Sequence, residues 1–161
     1  MSQFEYNVDL VLCIDGTGSM VKVIDGVKAF SSGMHSQLSE ALNNAKKHIN
    51  GLRVKVIVFR DFAADGADAF QVLDFKKIPE DETEFLRFVG DIKATGGGDE
   101  PENGLEALAA AIQSDWTQEG TRQRHIVMLF TDVPPHEYGT VTGAAQPTAL
   151  PATIEDVYRL W

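Results

Sequence analysis

The chain has 161 residues, 43% of them apolar and 24% charged, which suits one ordinary globular domain with one core. No apolar run approaches the roughly 20 residues of a membrane span. The net charge of −10 disfavours nucleic acid and anionic membrane, because phosphate recognition calls for clustered Lys and Arg. The opening MSQFEYNVDL lacks the basic start and apolar stretch of a secretory leader. The single cysteine, Cys13, cannot form an internal disulfide. These features together lead us to expect a cytoplasmic chain, organised over residues 1–161 as a single domain.

In chain order, Val8 to Ile14 (VDLVLCI) is a β-branched and Leu run that stops at Asp15-Gly16. It predicts a strand buried on both faces, as in a parallel sheet. A helical pattern follows from about Met20 to Lys47, with Val23, Val27, Phe30, Met34, Leu38, Leu42 and Ala45 at steps of three and four. Leu52 to Phe59 (LRVKVIVF) predicts a second strand. Phe70 to Phe75 (FQVLDF) alternates apolar and polar residues, which suits an edge strand antiparallel to the rest. Glu82–Ile92 and Asn103–Trp116 predict helices, and His125–Phe130 (HIVMLF) a third buried strand ending at Thr131-Asp132. Residues 138–151 are rich in Gly, Ala, Thr and Pro, hence a loop, and a last helix spans Ile154–Trp161.

This alternation predicts an α/β fold: a Rossmann-like open, mostly parallel sheet with helices on both faces. Ligands of such sheets bind beyond the carboxyl ends of the strands. Asp15 and Asp132 each lie just past a buried strand, so neighbouring strands would bring their carboxylates together.

Asp15-Gly16-Thr17-Gly18-Ser19-Met20 has the pattern D-x-[ST]-x-[ST], a carboxylate followed by two hydroxyls at alternate positions. Hard cations such as Mg²⁺ take oxygen ligands of this kind. Thr95-Gly96-Gly97-Gly98-Asp99-Glu100-Pro101-Glu102 is a second, glycine-rich source of oxygens, and Thr131-Asp132 a third. These three loops, in this order, resemble the metal-ion-dependent adhesion site (MIDAS) of von Willebrand factor type A (VWA) domains. DGTGSM is a close match, and TGGGDEPE is similar to the loop of several members.

The resemblance implies a metal set of Asp15, Thr17, Ser19, Asp99 and Asp132. Asp99 is placed by glycine spacing where many members carry a Thr, and Thr95 is the alternative. The implied ion is Mg²⁺, with Mn²⁺ or Ca²⁺ as alternatives. The implied function is a metal-dependent protein-binding module, not an enzyme, that presents the ion to an acidic side chain of a partner protein. Related modules often shift their last helix on binding, which makes 139–151 and the helix after it the expected movers. VWA domains usually continue with a further strand and helix, so the fold is expected to be short at its C-terminal end. The outer side of His125–Phe130 would then be an open edge for homo- or hetero-association.

Plainer readings stand beside these. Taken singly, Asp15 or Asp132 reads equally well as a turn or cap. Asp61, after Phe59-Arg60, is expected to pair with a nearby Arg or Lys rather than support the site. No two of the four histidines have zinc spacing. The enzymatic rival is a haloacid-dehalogenase-like, Mg²⁺-dependent phosphatase, whose first motif D-x-D-G-T compares with Cys13-Ile14-Asp15-Gly16-Thr17. That family's nucleophilic Asp falls on Cys13, which cannot form an aspartyl-phosphate. A structural subunit with a metal-free site is the remaining alternative.

Overall fold

The computed structural model describes residues 5–45, 47–98 and 101–161. Its frame is a four-stranded sheet in the order β3-β2-β1-β4. β1 (Glu5–Asp15) is central and pairs in parallel with β2 (His48–Phe59) and with β4 (Arg122–Phe130). β3 (Phe70–Ile78) closes one edge antiparallel to β2, as its alternating pattern predicts. The sheet is therefore open and mostly parallel, and the expected fold class holds.

Alternate side chains of β1 go to opposite layers of the core. Val8, Leu10, Leu12 and Ile14 pack with Ile24, Val27 and Met34 of α1 (Ile24–Asn44) and with Phe85 and Val89 of α2 (Glu82–Asp91). Val11 and Cys13 pack with Ile57, Phe59, Ala107 and Ala111, the last two from α3 (Gly104–Ile112). α4 (Ile154–Leu160) lies against α3 and buries Val157. Helices thus cover both faces, which is why β1 is apolar without a break from Leu10 to Ile14.

Element boundaries differ from the sequence reading where polar residues join a ladder. β1 starts at Glu5 and β4 at Arg122, because Tyr6–Asp9 pair with Arg122–His125. A strand's ladder needs backbone groups, not apolar side chains. The first helix is divided: Gly18–Lys22 is a 3₁₀ turn, α1 begins only at Ile24, and Val23 is exposed rather than part of the core stripe. β4 has β1 on one side only, and Ile126 and Leu129 are exposed along it.

Candidate functional site

The parallel register carries the ends of β1, β2 and β4 to one level, with Ile14 paired to both Val58 and Phe130. Asp15 is completely buried there. Its Oδ1 accepts from the Thr17 amide (2.9 Å) and the Thr17 hydroxyl (2.6 Å), and its Oδ2 from the Thr131 hydroxyl (2.9 Å). The Ser19 hydroxyl donates to Asp132 Oδ1 (2.9 Å) and lies 3.2 Å from Thr17 Oγ1. Asp15, Thr17, Ser19 and Asp132 therefore form one connected set.

The proton count in this set is informative. A hydroxyl has a single proton to give. Thr17 gives its proton to Asp15 and Ser19 gives its own to Asp132, so neither is left for the 3.2 Å contact between them. The two oxygens present lone pairs to one another. Asp15 and Thr17 are buried while Ser19, Thr131 and Asp132 are exposed, so the set has a closed floor and an open mouth.

The middle loop is fastened to the first. The Thr95 amide donates to Gly16 O (2.9 Å) and the Gly18 amide to Gly96 O (3.1 Å). Arg60 clamps both from below, its Nε donating to Gly16 O (2.9 Å) and Thr95 O (3.0 Å). Gly96 and Gly97 have φ of 74° and 81°, a region that side chains rarely adopt. A Cβ on Gly97 would also lie 3.1 Å from Thr17 Cβ and 2.9 Å from Glu102 Oε1. The glycine run is what lets the middle loop approach Thr17. Thr95 contributes backbone bonds through its amide and carbonyl. Asp99, the middle-loop residue expected from glycine spacing, lies outside the described residues.

Further acidic residues complete the surroundings. Asp65 accepts from the Gly97 amide through both carboxylate oxygens (3.0 and 2.9 Å). Asp61, expected to pair with Arg or Lys, instead caps its own loop by accepting from the amides of Ala63 (2.6 Å) and Ala64 (3.1 Å). Its Oδ2 stands 3.7 Å from His136 Nε2. The reason is local: the Arg60 guanidinium is committed to backbone carbonyls, those of Asp68 and Lys93 included.

Glu102 was not among the sequence candidates. Its side chain is 4% exposed and its Oε2 has no hydrogen-bond partner. Burial first, and then the charges of Asp15, Asp61, Asp65 and Asp132, push its carboxyl up to about 8. Among the described residues, no Lys or Arg forms an ion pair with any of these five carboxylates. Nor do three His, Cys, Asp or Glu side chains converge tightly enough to define an ion site by themselves. What has gathered is a mixture of carboxylates and hydroxyls, all hard oxygen donors.

This fold and these loops place the chain in a known class. Residues 9–149 match the model of the von Willebrand factor A domain, and the chain belongs to that family, one of protein-binding and adhesion modules. Among particular proteins, it is 30% identical over 131 residues to alpha-protein kinase vwkA of Dictyostelium discoideum, covering 80% of this chain and 19% of that protein. Two crystal structures of the pilus adhesin SpaC from Lactobacillus rhamnosus GG share the fold. They give TM-scores of 0.55 and 0.54 at 16% and 18% identity, over 81% and 83% of this chain and 16% of the adhesin in each. The chain thus spans about a fifth or less of each of these relatives.

Proposed function

We propose that the chain is a metal-dependent protein-binding module. In this reading Asp15, Thr17, Ser19 and Asp132, together with Asp99, hold a divalent cation, Mg²⁺ before Mn²⁺ or Ca²⁺. The carrying observation is the buried Glu102 Oε2, which among the described residues has no hydrogen-bond partner and stands with four other carboxylates that no Lys or Arg pairs. With its carboxyl pushed up to about 8, Glu102 sheds its charge near neutral pH, which is how a buried acid among like charges escapes the cost of an unpaired buried ion. A nearby cation would compensate that charge instead. The facing lone pairs of Thr17 and Ser19 suit the same occupant. A bound divalent ion supplies that compensation, and with it an acceptor site for one carboxylate of a partner protein.

The chain's own residues divide the work. Asp15 and Thr17 form the buried floor, Ser19 and Asp132 the open mouth, and Arg60 fixes the loops without entering the site. The middle loop, drawn close by its glycines, leaves no room for side chains between Thr17 and Glu102. The gathered carboxylates favour a cation over an anion.

We read the chain as non-enzymatic. Cys13, at the position of the phosphatase nucleophile, is completely buried, donates to Ala107 O and has its thiol pushed up to about 12 by burial. The exposed β4 edge with Ile126 and Leu129 offers a second place for association, with another copy or another protein. Light scattering over a wide concentration range checks this. Mass that grows with concentration supports it, and a constant monomer counts against it.

The decisive functional experiment is capture on a peptide array in Mg²⁺ and then in EDTA. Peptides with a free Asp or Glu should be held only in Mg²⁺, and their Asn or Gln counterparts in neither. Equal retention of acid and amide forms would sink the reading.

A further inference from the structure

One guanidinium behind the carboxylate set ties three separate stretches of backbone together. Arg60 is 5% exposed, and among the described residues it forms no ion pair with a carboxylate. Its Nε is shared between Gly16 O (2.9 Å) and Thr95 O (3.0 Å), its Nη1 donates to Asp68 O (2.7 Å) and its Nη2 to Lys93 O (2.9 Å). Its own amide is fixed as well, donating to Ala69 O (2.9 Å). Gly16 permits this approach. A Cβ there would stand 2.9 Å from both Arg60 Cζ and Nη2, and 2.8 Å from Val58 Cγ1.

A buried cation without a carboxylate partner depends on its carbonyls. Withdrawing any one of them leaves part of a charged group unsatisfied, which costs more than losing an ordinary hydrogen bond. The planar fork also fixes directions, so these carbonyls cannot shift together as they could around the compact ammonium of a Lys. The shared Nε bond matters most. It joins the first loop, which carries Asp15, Thr17 and Ser19, to the segment that leads into the glycine run and Asp99. Two backbone bonds cross the same gap, from the Thr95 amide to Gly16 O and from the Gly18 amide to Gly96 O. The spacing of these two loops is one dimension of the cavity in which an ion would sit.

We propose that Arg60 is a positioning residue that sets the ion selectivity of the site: by holding the first and middle loops at a fixed spacing, it favours Mg²⁺ over the larger Ca²⁺. This inference rests on the metal-binding reading above. Mg²⁺ keeps its oxygens at about 2.0–2.1 Å in a strict octahedron, whereas Ca²⁺ takes them at about 2.3–2.6 Å in flexible arrays. A frame that resists widening rejects the larger ion, and a frame that yields admits both. All four side-chain bonds of Arg60 go to backbone carbonyls and none to a side-chain oxygen of the set. It acts through loop spacing and not through coordination.

The test titrates Mg²⁺ and Ca²⁺ separately into the EDTA-cleared chain by calorimetry, with a thermal melt to show that each variant is folded. The parent should bind Mg²⁺ more tightly than Ca²⁺. Arg60→Lys keeps the charge and loses the fork. It should weaken Mg²⁺ about tenfold or more and Ca²⁺ about threefold or less, so that the preference for Mg²⁺ narrows. If Arg60 only supports the fold, both ions weaken by the same factor and the preference stays intact, which overturns the proposal. A parent that binds the two ions equally, or Ca²⁺ more tightly, overturns it too and leaves the metal reading in place. A parent that gives no binding heat with either ion removes the metal reading itself, and the selectivity with it. Should Arg60→Lys fail to fold, Gly16→Ala displaces the guanidinium with its charge kept, and an unchanged preference in that variant overturns the proposal equally.

Discussion

Asp9 and Asp15 lie on the same strand and the same face, both almost wholly buried, yet their surroundings are opposite. Asp9, near the amino end, is gripped by Arg53 through two bonds (2.8 and 2.6 Å) and accepts from the Thr117 amide (2.6 Å). Asp15, at the carboxyl end, meets only neutral donors and a crowd of further acids. The first charge is balanced within the fold. The second has no Lys or Arg partner among the described residues. Burial is the same for both, so burial does not separate a structural carboxylate from one kept for a ligand. The presence or absence of an internal cation does.

The largest effect should come from removing the cation that balances Asp9. Arg53→Met leaves Asp9 buried and unpaired, and should cost about 3–5 kcal/mol in urea unfolding. Asp15→Asn, in EDTA, should cost no more than about 1 kcal/mol, because the bonds from Thr17 to Oδ1 survive, the Thr131 hydroxyl can turn to accept from the new amide, and the repulsion falls. The reverse ranking would break the comparison.

Glu102 sharpens it through pH. Its folded carboxyl titrates near 8 against an ordinary value of 4.5, so the folded state holds the proton more tightly than the unfolded state. The corresponding stability is fully present below pH 4.5 and is lost as pH rises through 8. Relative to the parent in EDTA, Glu102→Gln should gain stability steadily across that window, followed by denaturation midpoints at several pH values. A constant difference between the two would mean that Glu102 is not held protonated by its neighbours. The smallest effects lie in the middle loop. Asp99→Ala should weaken Mg²⁺ binding about tenfold or more, whereas Thr95→Ala should hardly change it. Titration calorimetry separates them, and a critical Thr95 with a dispensable Asp99 would show that the glycine spacing was counted from the wrong residue.

How much of this was legible in the sequence follows from which signals are local. β1 and β2 announce themselves as apolar runs and β3 through its alternation, so the sheet and the convergence of Asp15 with Asp132 could be anticipated. β4, however, read as a buried strand, lies at an edge with none of its residues buried. The D-x-[ST]-x-[ST] spacing placed Thr17 and Ser19 on the same set. Glu102 was missed because an acidic residue is assumed to be solvated, and nothing in Pro101-Glu102-Asn103 signals burial. Asp61 was misjudged because its neighbour Arg60 looked available, whereas four backbone carbonyls had claimed that guanidinium. The ties on Gly139 and Val141 come from Glu106 and Asn103, more than thirty residues away in sequence, whereas composition gave only a loop and the resemblance made it the expected mover.

The central claim is that the uncompensated carboxylates around Asp15 are kept for a divalent cation. Titration of Mg²⁺ into EDTA-cleared chain, followed by a thermal melt, tests it most directly. The parent should bind one ion, and at a hundredfold excess over Kd should gain about 2.7 kcal/mol, roughly 5–10 °C in Tm. Asp15→Asn and Asp132→Asn should remain folded and lose both the heat and the rise. A parent whose Tm ignores Mg²⁺, Mn²⁺ and Ca²⁺ alike, or variants that respond as the parent does, would contradict the account.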